Sequence, residues 1–427
     1  MARQRRQRRH TRHVLRNLLL AVTLLALATT GALWHYRSTR DSVSQELSYR
    51  MVRRTIRTEQ KAKVSLMGRR GFSISIKAAN IVSRMTVEQK VAQLFFVTPE
   101  GLLSGRYDGV VTSAGDLTRD ALSERPVGGI IYFQQNLTSP DQTRQMLART
   151  AAYARAALDV PLLLDVDEEG GTVSRVGGNP GFPIANVGNM SEVGAVADVS
   201  RARDVAAHIG SYLHDLGFTA DFAPVADVAN NPDSDTMRLR SFGSDAATVS
   251  EMVAAQVAGF SSQHIICCAK HFPGIGGAEG DSHTGAIYTH KSADEMMAEE
   301  LLPFAAAIDE GVPMVMVGHI SCPEVTGNEL PASVNSAVMR NLLRDRLGFR
   351  GVVVTDSLGM GAIVDRFGAD RVAVEAFLAG ADALLMPADF DAAYQGMLDA
   401  VKSGEITTER LDASVARIIR MKFANES

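Results

Sequence analysis

Short apolar runs alternate with helix-like segments from residue 81 to the end of the chain. Several runs are continuous stretches of Val, Ile and Leu, which is typical of strands buried on both faces. There are eight, at residues 92–97, 129–133, 161–166, 220–225, 265–269, 314–317, 351–355 and 383–386. Segments 140–158, 248–261, 292–310, 336–347 and 371–378 between them predict helices. Eight strand–helix units predict the α/β class and a (β/α)8 TIM-type barrel; an open doubly wound sheet is the alternative.

A basic segment and then an apolar one precede the barrel region. Seven arginines lie among residues 1–16, and residues 18–34 are almost entirely apolar. This length is at the lower limit for crossing a bilayer. Small residues at 26–28 resemble a signal-peptide cleavage site, whereas the heavy basic flank favours a retained signal anchor. Both interpretations place the body outside the cytoplasm, either membrane-anchored by the N-terminal helix or secreted after cleavage.

The predicted organisation has three parts. Residues 1–35 are the basic N-terminus with the signal peptide or anchor, and residues 36–80 are a polar stalk. Residues 81–427 form a single catalytic domain.

Charge and cysteine content narrow the class of protein. The formal net charge of −4 becomes −11 once the seven N-terminal arginines are set aside, so the body is acidic. Nucleic acid is therefore not an expected partner. Cys267, Cys268 and Cys322 are odd in number and two are adjacent, so they are interpreted as small core residues and not as a disulfide framework.

Reactive side chains follow five consecutive predicted strands. An Asp after a strand often caps the next helix, but in a parallel barrel all carboxyl ends of strands meet at the face where active sites are built. The coincidence over five strands therefore indicates a site. The residues are Asp165, Asp167, Asp227, Lys270, His271, His319 and Asp356.

Residues 269–284 concentrate this chemistry. Lys270 and His271 end the fifth run, a Pro/Gly-rich loop follows, and the loop closes on Asp281 and His283. This pattern favours a catalytic His283 held by Asp281. His271, Asp281, His283 and His319 could in principle serve a metal hydrolase, but their spacing matches no zinc motif, so no metal is expected. The glycine spacing at 274–280 does not match a dinucleotide fold, and no organic cofactor is expected.

Ten segments between residues 85 and 358 carry a family resemblance. They are Met-Thr-Val-Glu-Gln-Lys-Val-Ala-Gln-Leu from 85, Val-Gly-Gly-Ile-Ile from 127, Asp-Glu-Glu-Gly-Gly from 167, Asp-Phe-Ala-Pro-Val-Ala-Asp-Val from 221, Arg-Ser-Phe-Gly from 240, Lys-His-Phe-Pro-Gly from 270, Asp-Ser-His from 281, Gly-His-Ile from 318, Pro-Ala-Ser from 331, and Leu-Gly-Phe-Arg-Gly-Val-Val-Val-Thr-Asp-Ser-Leu from 347. By the number and order of these segments, the chain from residue 85 to about 421 resembles glycoside hydrolase family 3, in its single-domain β-N-acetylglucosaminidase branch.

The resemblance implies a role for each matching residue. Asp356 would be the nucleophile of a retaining reaction, and His283 on a mobile loop would be the acid/base, supported by Asp281. Substrate-binding roles are implied for Asp167, Arg240, Lys270, His271 and Arg175. Two positions depart from the family pattern: Ile275 stands where His is common, and Thr172 where a basic residue is common.

The expected function is therefore an exo-acting β-N-acetylglucosaminidase that removes terminal GlcNAc from β-linked glycans, with peptidoglycan fragments as the leading substrate. A β-glucosidase or a β-glycoside phosphorylase of the same fold is the nearer alternative. A membrane-tethered, non-catalytic glycan-binding protein is the alternative of another class. It would have no need of the nucleophile Asp356 or of the pair Asp281 and His283.

Overall fold

The computed structural model describes residues 71, 73–231, 234, 236–278, 286–364 and 366–426. The predicted N-terminal segment 1–35, most of the predicted stalk, and the two loop residues Asp281 and His283 lie outside these residues. Within them, no helix is both long enough and apolar enough to cross a membrane.

Ten parallel strands form the sheets of the described residues, and eight of them line up with the eight predicted runs. The eight are β1 (Phe95–Val97), β2 (Gly129–Tyr132), β3 (Leu163–Val166), β4 (Ala220–Asp221), β5 (Ile266–Phe272), β7 (Met314–Val317), β9 (Val352–Thr355) and β10 (Leu384–Leu385). The other two, β6 (Ile287–Tyr288) and β8 (Ile320–Ser321), pair with each other in a small separate sheet. All residues of the eight main strands are buried, as the continuous apolar runs predict.

The eight main strands close into a barrel. They are hydrogen-bonded in the orders β10-β1-β2-β3 and β4-β5-β7-β9. The backbone N–H of Phe222 donates to the Val166 carbonyl at 2.9 Å between β3 and β4, and a parallel bridge joins Val354 to Ala383 between β9 and β10. These two connections close the ring, so the prediction of a barrel is confirmed and the open doubly wound sheet is excluded.

Helices surround the barrel and follow its strands in turn. They are Val87–Gln93, Pro99–Leu102, Asp116–Glu124, Pro140–Leu158, Met190–Val196, Val199–Leu216, Ala246–Ser262, Ala293–Ala298, Leu301–Glu310, Pro323–Thr326, Ala337–Arg346, Gly361–Val364, Ala369–Ala379, Phe390–Lys402 and Thr408–Asn425, with 3-10 turns at Gln134–Asn136 and Ala332–Val334. Helix Pro140–Leu158 shows the local reasons for such bounds: Ser139 caps it by accepting from the Gln142 N–H, and Asp159 ends it in the left-handed conformation.

The predicted helix 292–310 is two helices. It breaks at Glu299 and Glu300, because Pro303 has no N–H to donate to the Glu299 carbonyl and its ring would clash with that carbonyl in a continuous helix. At the break, the carboxylates of Glu299 and Glu300 bind Lys291 and the side-chain amide of Asn230.

The barrel end opposite to the strand carboxyl ends is covered by helix Thr408–Asn425. Residues 73–82, at the end of the predicted stalk, are also helical, and Ala78 and Val82 on this segment are buried. Lys77 lies 3.5 Å from the centre of the Phe423 ring, a cation–π contact with the terminal helix. The described body therefore includes residues that precede position 81.

Candidate active site

The loop after β3 is built around the carboxylate of Glu168. This fully buried group accepts from the backbone N–H groups of Arg175, Val176 and Gly177 at 2.6, 2.9 and 2.8 Å. It also accepts from the hydroxyls of Ser174 and Tyr212. Five donors on one carboxylate fix the course of the loop, and with it the positions of its neighbours Asp167 and Arg175.

Four charged side chains form a continuous chain at the carboxyl ends of the strands. The ammonium of Lys270 lies 2.7 Å from both Asp167 Oδ1 and Glu169 Oε1. Glu169 in turn accepts two bonds from Arg240, from Nε and Nη2, each at 2.7 Å. Arg175 is more distant, with Nη2 at 3.9 Å from Asp167 Oδ2. Positive and negative groups therefore alternate from Asp167 to Arg240.

The electrostatics of this chain favour the charged forms of Glu169 and Lys270. Burial alone would raise the pKa of Glu169, but Arg240 and Lys270 more than compensate and hold it far below its ordinary range. Burial would likewise lower the pKa of Lys270, and the carboxylates of Asp167 and Glu169 hold it above its ordinary value. Because all of these charges are paired, the network is a preorganised polar surface.

His271 is held by a second buried carboxylate, Asp227. Nδ1 of His271 lies 2.7 Å from Asp227 Oδ2, and the backbone N–H of His271 donates to the same oxygen at 3.2 Å. On its other side, Nε2 of His271 lies 3.4 Å from Nη2 of Arg240. His271 therefore connects Asp227 to the charged chain.

Asp356 follows β9 and is partly exposed. Its backbone N–H donates to the Val317 carbonyl at 2.9 Å, and its Oδ1 accepts from the Ser357 N–H at 2.7 Å. Burial would raise the pKa of Asp356, but the positive charges of His271, His319 and Lys270 and the Ser357 N–H together lower it below its ordinary value. An ionised carboxylate at this position can act as a nucleophile.

His319 lies beneath the loop that carries Asp356. It is 1% exposed, with Nδ1 at 2.7 Å from the Ser333 hydroxyl and Nε2 at 2.8 Å from the Ser357 carbonyl. Because a carbonyl oxygen only accepts, Nε2 carries a proton. His319 is thus a buried histidine with a hydrogen-bond partner at each ring nitrogen, and it also supports the loop that carries Asp356.

The glycine-rich segment after β5 is packed where it is described. A Cβ on Gly276 would lie 2.1 Å from the Val228 carbonyl oxygen, and one on Gly277 would lie 2.3 Å from Asn230 Oδ1. Ile275 is buried, and its N–H donates to Asp227 at 2.7 Å. In the described part of the segment, these two glycines therefore permit close packing.

The structure connects the five predicted binding residues. Asp167, Lys270, Arg240, His271 and Arg175 belong to one set of contacts, whereas Thr172, on the same loop, is exposed. Asp281 and His283 lie outside the described residues, so their roles stay predictions. Among the described residues, no group of three or more His, Cys, Asp or Glu side chains is arranged to hold a metal ion.

Two strand-end carboxylates prove to be internal. Asp165 and Asp221 are buried, and burial raises the pKa of each well above its ordinary value. Asp227 was predicted only as one of the strand-end residues that indicate a site, and Glu168 and Glu169 were not predicted. The signal for Glu168 and Glu169 was present, since both follow Asp167 in a matching segment, but a single sequence does not say which of the three carboxylates is left open to a ligand.

Comparisons with known proteins agree on the family. The model described as Glycosyl hydrolase family 3 N terminal domain matches residues 86–421. The chain is 33% identical over 347 residues to Beta-hexosaminidase A of Pseudoalteromonas piscicida, covering 75% of this chain and 57% of that protein. It is 39% identical over 282 residues to Beta-hexosaminidase LpqI of Mycobacterium tuberculosis, covering 62% and 69%. Among solved structures, a glycoside hydrolase family 3 beta-N-acetylglucosaminidase from Paenibacillus sp. str. FPU-7 aligns with a TM-score of 0.74 at 37% identity, covering 80% and 64%. The chain thus spans between about half and two thirds of the length of these relatives.

Proposed function

The chain belongs to glycosyl hydrolase family 3, and on that premise we propose that it is a retaining exo-β-N-acetylglucosaminidase that removes terminal GlcNAc from β-linked glycans. The observation that carries the proposal is the ionised Asp356 on the same barrel face as the alternating charges of Asp167, Lys270, Glu169 and Arg240. The names of the relatives, two beta-hexosaminidases and a beta-N-acetylglucosaminidase, support the choice of sugar.

The site residues suit the two steps of a retaining reaction. In the first step, an oxygen of the Asp356 carboxylate attacks the anomeric carbon while the bond to the leaving-group oxygen breaks. The leaving-group oxygen takes a proton from the acid, which we propose is His283. Water then attacks the glycosyl ester at the anomeric carbon, gives its proton to His283, and releases Asp356. Asp167, Lys270 and Arg240 are suited to bind the sugar hydroxyls, because together they offer both acceptors and donors.

The test compares substrates and co-substrates on the purified full-length chain. Chromogenic β-GlcNAc and β-glucose substrates are incubated with and without phosphate. Faster turnover of the β-GlcNAc substrate without phosphate is expected. Inactivity on both substrates would reject the enzyme and favour a glycan-binding protein, a preference for glucose would select the β-glucosidase, and turnover that requires phosphate would select the phosphorylase.

Variants test the two catalytic roles. Asp356→Ala should abolish turnover, whereas Asp345→Ala, at an exposed position on helix Ala337–Arg346, is the matched control and should change little. His283→Ala should slow substrates with poor leaving groups far more than activated ones, because only the former need a proton. Equal rates of His283→Ala and the parent chain on every substrate would show that another residue is the acid.

We further propose that the natural substrate is a peptidoglycan fragment and that the body works outside the cytoplasm. The support is the family branch that the motifs resemble, together with the basic and apolar segments at residues 1–34. Incubation with muramidase-digested peptidoglycan should release free GlcNAc, and protease added to intact cells should degrade the body. Failure of either experiment would remove the corresponding part of the proposal.

A further inference from the structure

We propose that a cluster of five arginines at the amino-terminal end of the barrel is a binding site for a phosphate group. The arginine cluster surrounds the buried carboxylate of Asp382 and consists of Arg340, Arg344, Arg350, Arg410 and Arg417. Asp382 precedes β10, and Arg344 donates to the Gly351 carbonyl just before β9. The cluster therefore lies at the barrel end opposite to Asp356, and the inference goes beyond the proposed function.

Three of the arginines converge on Asp382, which is fully buried. Nη1 of Arg417 lies 2.6 Å from Oδ1 of Asp382, and Nη2 of Arg344 lies 2.5 Å from Oδ2. Nη1 of Arg410 is more distant, at 3.6 Å from Oδ1. A single negative charge therefore lies among three positive ones.

Arg340 and Arg350 add positive charge without adding a carboxylate. Arg340 donates to the Leu378 carbonyl, and Arg350 donates to two other backbone carbonyls. A carbonyl accepts a hydrogen bond but carries no net charge, so these bonds satisfy N–H groups without neutralising the guanidinium. Among the described residues, Asp382 is the one carboxylate that forms salt bridges with the five arginines.

The crowding of like charges is visible in the electrostatics of the cluster. Burial lowers the pKa of Arg410 to about 10, although Asp382 opposes this effect. The neighbouring guanidinium groups of Arg340, Arg344 and Arg417 contribute to the lowering. The body as a whole is acidic, so this excess of positive charge is local. A bound anion would stabilise the cluster by supplying the missing negative charge.

The donors that remain available match a phosphate group. A guanidinium offers paired, coplanar N–H groups that fit two oxygens of one phosphate, and several uncompensated charges favour phosphate over a single carboxylate. Among the described residues, Nε and Nη2 of Arg417 have no hydrogen-bond partner, and this side chain is 30% exposed. Arg340 and Arg350 are exposed beside it. A phosphate group of a soluble molecule or of an anionic lipid headgroup has the required chemistry.

Calorimetric titration of the full-length chain with inorganic phosphate, at constant ionic strength, tests the site. Saturable binding is expected. Arg417→Gln and Arg340→Gln should each weaken it about tenfold or more, because each removes charge-assisted donors. Arg417→Lys keeps the charge but not the paired donors and should weaken binding less. Arg149→Gln, at an exposed position on helix Pro140–Leu158, is the matched control and should bind like the parent chain.

Vesicles distinguish the two sources of the phosphate group. The same chains are sedimented with phosphatidylglycerol vesicles, with phosphatidylcholine vesicles as the reference. Residues 1–34 are identical in every variant, so a difference between variants belongs to the arginine cluster. Weaker sedimentation of both Gln variants with phosphatidylglycerol would assign the site to a lipid headgroup. Equal sedimentation, with arginine-dependent binding of inorganic phosphate, would assign it to a soluble phosphate compound.

The proposal is wrong if both Gln variants behave like the parent chain with both probes. Arg340→Gln decides alone if Arg417→Gln does not fold, as judged by circular dichroism. All variants that fold should keep the parent value of kcat/KM on the chromogenic substrates, since the cluster lies away from Asp356. Lack of turnover in the parent chain would refute the proposed function and would leave the binding result unaffected.

Discussion

Replacing Lys422 by methionine should stabilise the protein, although the substitution removes a hydrogen bond. Lys422 is 2% exposed on the terminal helix, and its ammonium donates to Gln93 Oε1 at 2.9 Å. Burial lowers the pKa of Lys422 from 10.5 to about 7. Burial of the charged amine therefore lowers the free energy of unfolding.

The magnitude follows from this pKa. A shift from 10.5 to about 7, at about 1.4 kcal/mol per unit, corresponds to a cost of about 5 kcal/mol for the protonated amine. Because the folded pKa is the lower one, the unfolded chain binds more protons between the two values, and the free energy of unfolding rises with pH in this window. The cost is fully present below about pH 7 and is gone near pH 10.5. Lys422→Met removes it but leaves Gln93 Oε1 without this donor, at about 1–3 kcal/mol. The expected net stabilisation near pH 7 is about 2 kcal/mol.

The assay is urea unfolding followed by far-UV circular dichroism, since the one tryptophan, Trp34, belongs to the predicted N-terminal segment and precedes the barrel in sequence. The gain of Lys422→Met over the parent chain should shrink by about 1 kcal/mol per pH unit as the pH rises above about 7. Lys402→Met, at an exposed position, controls for the general effect of exchanging a lysine for methionine. A difference between Lys422→Met and the parent that is constant with pH would refute the reasoning, because it would show that the buried amine does not titrate there.

Three further outcomes are expected. Glu169→Gln should cost about 3–5 kcal/mol in unfolding free energy and raise KM, because Arg240 loses the carboxylate that accepts its two bonds and the buried Lys270 keeps only Asp167 as a counter-charge; unchanged stability and KM would contradict this. Gly276→Ala should destabilise by about 1–3 kcal/mol, since its Cβ would meet a carbonyl oxygen at 2.1 Å. Gly115→Ala has nothing within 4 Å and should lose only about 0.5–1 kcal/mol in the same unfolding assay, the cost of alanine at a helix N-cap. The acid limb of the kcat/KM profile should lie below pH 3.8, because the pKa of Asp356 is lowered from that value, and His319→Gln should move the limb upwards by removing a nearby positive charge. If the acid limb does not move, the charge of His319 does not affect the pKa of Asp356.

The barrel was predictable because its strands are buried on both faces. Such strands appear as continuous apolar runs, and all eight runs overlap the observed strands in order. The polar residues that follow them were predictable for a related reason, since a buried strand ends where the chain can again reach water. Helix bounds were less predictable. The segment predicted as one helix over 292–310 breaks at Glu299, four residues before Pro303, and the pattern of apolar positions does not show this break although the proline does.

Glycine was the residue type whose meaning the sequence left ambiguous. Gly276 and Gly277 suggest a mobile loop when they are considered alone, because glycine is flexible. In the structure they lie against the Val228 carbonyl and the Asn230 side chain. Flexibility and close approach both require a missing Cβ, so composition cannot separate them. The distinction depends on what residues 228–230, distant in sequence, bring to the same place.

The acidic triplet at 167–169 shows why the site could be located but not fully interpreted. Its three carboxylates differ little as sequence, yet each has a separate set of partners. Asp167 binds Lys270 and stays partly exposed, Glu168 holds the loop through five donors, and Glu169 is buried between Lys270 and Arg240. The three carboxylates differ because each meets different partners once the chain has left β3. The expectation that residues after a strand face the site does not predict which partners each one meets. Asp167 is therefore the carboxylate of the triplet that stays open to the sugar of the proposed function, and Glu168 and Glu169 hold the loop and the cations around it.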